Sequence, residues 1–173
     1  MAIRSTMNRG LTELLKKAFP NVQAVKRPCV GIGQIEQVQW MAGFASGEGC
    51  FYISIRKIST TKPKSSVEPR FILTQHTRDE SLMRRCIDFF QAGSVIQNRN
   101  TYNFSISKFA DLFTKVLPMF KKAPILGTKS KDFNDWSEVL HLMNTKEHLS
   151  QEGLSKIRKI KEGMNRGRDR MNE

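Results

Sequence analysis

One carboxylate in this chain stands where chemistry could be done. Glu48 lies between Gly47 and Gly49, where a helical stretch, EQVQWMAGFASGE, gives way to an alternating one, CFYISIRK. By residue type alone, such an acid is either a solvated helix-end residue or an oxygen ligand for a hard cation. Upstream of it, Gly43 and Gly47 are four apart and so share one helix face. Each glycine costs a helix about 1 kcal/mol relative to alanine, so the pair predicts a face that another backbone approaches closely. Trp40, Met41 and Phe44 supply the large apolar side chains of this helix.

A second set of residues suits recognition rather than reaction. On the strand after Glu48, Phe51, Ile53 and Ile55 alternate with Tyr52, Ser54 and Arg56, so the second trio faces away from the core. A strand expected at residues 68–76 presents Arg70, Ile72 and Thr74 in the same way. Two more, in GSVIQNRN and TYNFSISK, present Ser94, Ile96 and Asn98, then Asn103 and Ser105, with Arg99 and Asn100 as the turn. A β-ribbon can enter the DNA major groove, where base edges are distinguishable and Ile72 and Ile96 could meet thymine methyls. An ordinary solvated sheet face is the alternative.

Charge favours a polyanion. Lysine and arginine number 29 against 16 acids, a formal net charge of +13 over 173 residues. Nucleic acid is the first partner this implies, an anionic membrane surface the second. No apolar run approaches the roughly 18 residues of a membrane span. Cys29, Cys50 and Cys86 match no zinc spacing, and their odd number suits a reducing compartment. The three histidines are scattered, which argues against a histidine metal site.

The positioning elements follow from periodicity and punctuation. MAIRSTMNRG has no long apolar core of a secretory type, and LTELLKKAF reads as a short amphipathic helix stopped by Pro20 and Asn21. Residues 20–36, with two prolines and two glycines, read as a linker. STTKPKSSVE reads as a polar basic loop, whose lysines, with those of the last helix, would meet phosphates. TRDESLMRRCIDFFQ reads as an amphipathic helix with Thr77 as N-cap and Glu80 at N3. Residues 109–120 predict a helix broken or bent near Pro118. Helices at about 130–145 and through LSQEGLSKIRKIKEGM complete an α-β-β-α-β-β-α order, an α+β layer with helices on one face of an antiparallel sheet.

Residues 41–49, MAGFASGEG, resemble the nine-letter motif of the LAGLIDADG homing endonucleases. Ala42, Gly43 and Gly49 are identical to it, and Met41, Phe44, Gly47 and Glu48 are similar or permitted replacements. The longer GEGCFYISI is similar to the fungal mitochondrial branch, and the likeness extends over about residues 10–167. One departure stands out: Ser46 occupies the place of the motif's first aspartate.

The resemblance implies a fold and a function. The fold is a four-stranded antiparallel saddle in αββαββα order, occupying residues 37–165. Residues 1–36 form an N-terminal helix and linker, and 166–173 a disordered basic tail. The function is metal-dependent cleavage of double-stranded DNA at a specific site, with Mg2+ held by Glu48 and Gly47. Gln75, in RFILTQHTRDESL, would position water, and Lys129, in LGTKSKDF, would approach the scissile phosphate, with Lys131 close by. Gly43 and Gly47 would form the interface to a second motif helix, in a homodimer or a complementary half. GLTELLKKAFPNVQAVKRP is similar to the segment joining the halves of double-motif members, and no second MAGFASGEG-like stretch occurs. Two alternatives remain open: a non-cleaving maturase-like protein that binds intron RNA, and a C-terminal half inactive without its N-terminal half. Family members are encoded in organellar introns, which implies a mitochondrial location.

Overall fold

The computed structural model describes residues 12–22, 33–57 and 65–165. The chain divides into two compact units, residues 1–33 and 34–173. In the first, α1 (Glu13–Ala18) is capped by Thr12, whose hydroxyl accepts from Leu15 N. It buries none of its residues, and Leu14 is 81% exposed. The second unit starts at Gln34, and Ile35 packs on its core.

The second unit begins with α2 (Val38–Glu48), which seats Met41, Ala42 and Ala45 in the core. It ends where Gly49 turns extended and donates its N–H to Ala45 O. A Cβ at Gly49 would lie 2.5 Å from that same carbonyl, so only glycine lets the strand leave so abruptly. β1 (Gly49–Lys57) runs antiparallel to β2 (Ser65–His76), from Gly49 opposite Leu73 to Lys57 opposite Ser65. β2 thus starts three residues before the strand expected at 68–76. Its polar opening residues lack an apolar signature, yet they pair with β1 and bury Val67. Pro69 is tolerated because β4 reaches β2 only from Phe71 onward, leaving that stretch with one neighbour.

A 3-10 turn (Thr77–Asp79) leads into α3 (Glu80–Phe90). The cap differs from the expected Thr77–Glu80 box. His76 Nδ1 accepts from Arg78 N, and Glu80 is drawn instead to Arg84 at 2.7 Å, one turn on. Gly93, at φ 91, re-aims the chain into β3 (Ser94–Asn98). The hairpin to β4 (Thr101–Ile106) turns through Arg99 and Asn100 as expected, with Arg99 at φ 53. The sheet order is β1-β2-β4-β3.

The next helix, α4, departs from a regular α-helix just before Pro118. It runs as α-helix at Phe109–Asp111, π-helix at Leu112–Val116 and α-helix again at Leu117–Lys122. Proline has no N–H to donate and crowds the carbonyl four residues back, and the wider π turn absorbs both effects. α5 (Lys129–Asn144) packs on β1 and β2, and α6 (Gln151–Glu162) packs on α5.

One face of the sheet and the helices enclose the core. Phe51 is its hub, with ring centroids 5.3–5.6 Å from Phe71, Phe120, Phe133 and Trp136. Each such pair contributes about 0.5–1.5 kcal/mol beyond the area it buries. Phe51 follows Glu48 by three residues, so the acid hangs from the most tightly held part of the sheet. The 58–64 part of the basic loop and the expected basic tail, 166–173, lie outside the described residues, as does Cys29.

Candidate active site and nucleic-acid interface

At the end of α2, residues from two distant parts of the sequence meet. Glu48 is exposed at the helix terminus. Lys129, the first residue of α5, donates its Nζ to Gly47 O at 2.7 Å. Lys129 and Lys131 were both within reach by sequence. Of the two, Lys129 is the one seated against the motif helix, while Lys131 is exposed. Ser46 Oγ donates to Ala42 O at 2.7 Å and accepts from Leu126 N at 3.2 Å. The hydroxyl therefore fastens the motif helix to the loop that delivers Lys129. The register of Gly49 with Leu73 brings Gln75 to the same end of the sheet, still inside β2 and on the core-side parity of Phe71 and Leu73.

Beneath this group lies a second one that sequence reading missed. Buried Asp132 accepts from Asn165 N at 2.9 Å, and Asn165 Nδ2 donates to Phe51 O at 3.1 Å. These bonds tie the start of α5 and the end of the chain's described part to the outer edge of β1. They span 33 and 114 residues, and no local pattern announces them. Cys50 sits alongside, 3.9 Å from Asn165 Oδ1. Burial holds its thiol above the ordinary value, against the opposing pull of Lys129. A thiol kept protonated is a poor nucleophile and a poor ligand.

The oxygen donors at hand suit a hard cation. Glu48 offers a carboxylate and Gly47 a carbonyl whose second lone pair remains after the bond from Lys129. Among the described residues, no group of three or more His, Cys, Asp or Glu side chains converges. One carboxylate suffices for Mg2+, which keeps several of its waters.

The recognition residues expected from alternation fall on one face of the sheet. Directly paired residues on antiparallel strands point the same way. The pairs Tyr52 with Arg70, Ile72 with Ser105, Thr74 with Asn103, Ser94 with Ser105 and Ile96 with Asn103 link all four strands across that face. Ser54 and Arg56 continue it along β1, and Asn98, opposite Thr101, along β3. Ile96 is 63% exposed and Tyr52 41%, whereas Ile72 is half-buried between strands. The same parity adds Cys50, Ser66, Glu68, His76 and Thr101. Not all the basic residues expected at phosphates join them. Lys156 of α6 is bound to Glu138 of α5 at 2.8 Å, within the helix layer and off the groove face.

The other open surface is a stripe along α2. Gly43 and Gly47 are exposed, and a Cβ at either would meet none of the described residues within 4 Å. Trp40, 43% exposed, stacks on Phe44 beside them, with ring centroids 5.1 Å apart.

This fold has counterparts among known proteins. Residues 41–140 match the family model described as LAGLIDADG endonuclease. The chain belongs to the LAGLIDADG endonuclease family. It is 32% identical to probable intron-encoded endonuclease 2 of Neurospora crassa, over 93% of this chain and 37% of that protein. With DNA endonuclease I-CeuI of Chlamydomonas moewusii it shares 27% identity, over 81% of this chain and 71% of that one. The solved structure of the homing endonuclease I-SmaMI bound to cleaved DNA superposes with a TM-score of 0.88 at 34% identity, covering 96% of this chain and 56% of that one. A further I-SmaMI structure holds an uncleaved DNA target with calcium ions. The chain thus spans 37% and 30% of the lengths of the first two curated relatives it matches.

Proposed function

We propose that this chain is one catalytic half of a site-specific, metal-dependent DNA endonuclease that hydrolyses phosphodiester bonds in duplex DNA. The observation that carries the proposal is the seating of Lys129 on Gly47 O, beside Glu48, at the end of the strand face. Glu48 and the Gly47 carbonyl would hold Mg2+. When bound, the metal polarises the scissile phosphate and supplies hydroxide near neutral pH. Lys129 brings a positive charge to the oxygens that gain negative charge as the bond breaks. Gln75, at the same end of the sheet, would orient water. Ser46 and the Asp132–Asn165 pair keep the acid and the lysine at fixed separation. Residues 37–165 would form the endonuclease domain.

Cutting two strands takes two such centres, and this chain carries one motif acid. The bare Gly43/Gly47 stripe would receive a second motif helix, from another copy or from a complementary half. Tyr52, Arg56, Arg70, Thr74, Ile96, Asn103 and their neighbours would read base edges in the major groove. The relatives named as intron-encoded support a mitochondrial setting.

The test is Glu48→Gln, assayed for nicking and for affinity on the same duplex. Cleavage should vanish while affinity stays within a few-fold, because affinity comes from the basic groove rather than from the acid. Cutting at the wild-type rate would remove Glu48 from the site.

A further inference from the structure

The groove face contains one acid among its described residues, Glu68, and it stands where an acid should weaken binding to a polyanion. Its Oε2 lies 3.4 Å from Arg56 Nη2 on β1 and 3.4 Å from Arg70 Nη2 two residues along β2. The geometry is set by register. Glu68 is opposite Ser54, with Arg56 and Arg70 as its diagonal and same-face neighbours. The carboxylate is 36% exposed, so it is neither buried for stability nor free in solvent. Arg70 Nε is itself buried and has no partner among the described residues, so Arg70 is packed close to the sheet while its Nη2 reaches Glu68.

A lone arginine on a flat sheet samples many rotamers and loses that freedom when it meets a base. Two guanidiniums drawn to one carboxylate are instead held together, each through its Nη2. A guanidinium fork reads guanine O6 and N7 bidentately only if its plane is held. We propose that Glu68 is a positioning residue for sequence recognition, fixing Arg56 and Arg70 as a coupled pair of base readers without contacting a base itself. The cluster begins about 10 Å from Gly49 along β1, at Tyr52 opposite Arg70, and ends about 23 Å away at Arg56. It would therefore read base pairs roughly three to seven steps outward from the acid. This inference rests on the groove face being the DNA-reading surface.

The experiment selects bound duplexes from a randomised library in chelator, so that nothing is cut, using wild type, E68Q, R56A and R70A. E68Q should flatten base preference about tenfold at the same positions as R56A and R70A, and leave the preference set by Thr74 and Asn103 intact. A merely structural role would lower affinity without this positional pattern. An unchanged preference profile with tighter overall binding would show Glu68 to be only a repelling charge, and would overturn the inference. Loss of a single cytosine preference, at a position neither arginine variant affects, would make Glu68 a direct reader and overturn it equally. A wild-type chain with no preferred sequence would overturn the DNA-reading function and this inference with it.

Discussion

Lys129 and Glu48 are 81 residues apart, yet both belong to a few atoms at the end of α2. Lys129 Nζ reaches Gly47 O at 2.7 Å, whereas exposed Lys131 is two positions further along α5. The two lysines should therefore behave differently. Lys129→Met is expected to slow cleavage by about 10²- to 10³-fold, the size of effect seen when one charge-stabilising donor is removed. Lys131→Met should stay within a few-fold of wild type, and single-turnover cleavage on one saturating duplex separates the two. Equal losses would mean that charge near the phosphate matters and its seating does not. Ser46 is the other lesson at this scale. By sequence it is a lost aspartate, but in the structure its hydroxyl is bonded on both sides, to Ala42 O and Leu126 N. The hydroxyl thus makes a polar tie between the motif helix and the loop that leads to Lys129.

Among the elements, α3 touches no candidate site and is held by its packing on the sheet. Met83, Cys86 and Phe90 form its buried side, and Phe90 stacks on Phe104 of β4 at 5.7 Å. Burial pushes the Cys86 thiol up from 9.0 to about 12. The folded value lies above the unfolded one, so the contribution of the neutral thiol is fully present below pH 9. It is lost as pH rises through 12, because only the unfolded chain releases the proton in between. Denaturant unfolding followed from pH 8 upward should fall more steeply in wild type than in Cys86→Ala. The difference in slope should approach 1.4 kcal/mol per pH unit, to order of magnitude, once above pH 9. Parallel curves would mean that the thiol is hydrated or already ionised in the fold. α4 makes a related point about reading elements. Its proline was legible, but the π turn at Leu112–Val116 that precedes it was not.

For the molecule as a whole, the open question is what covers the Trp40–Gly43–Gly47 stripe. A Cβ at Gly43 would meet no described residue within 4 Å, and replacing a helical glycine gains about 0.5–1 kcal/mol in local propensity. Gly43→Leu should therefore leave the isolated fold intact or slightly steadier, while abolishing assembly and double-strand cleavage. Thermal unfolding and light scattering with and without duplex DNA measure the two effects separately. A variant that still assembles and cuts both strands would show that the stripe is not the contact between motif helices. A loss of fold stability would mean that the helix packs differently in solution.

Much of this protein was legible without coordinates, for reasons that are local. Alternation with a period of two assigns Tyr52, Arg70, Thr74, Ser94, Ile96 and Asn103 to one face, since a strand leaves no other choice. Glycines four apart share a helix side, and the motif itself names Glu48 and the family. Glu68 has the same parity, at the first position of the expected strand. What the tertiary structure alone decided is the set of contacts between residues far apart in sequence. Lys129 rather than Lys131 meets Gly47, Ser46 holds Leu126, and Asp132 and Asn165 clamp the edge of β1. One carboxylate can hold two arginines because register sets Arg56 diagonal to it. These pairings depend on how helices settle on the sheet. That settling is governed by the packing of Phe51, Phe120, Phe133 and Trp136, which no short window of sequence contains.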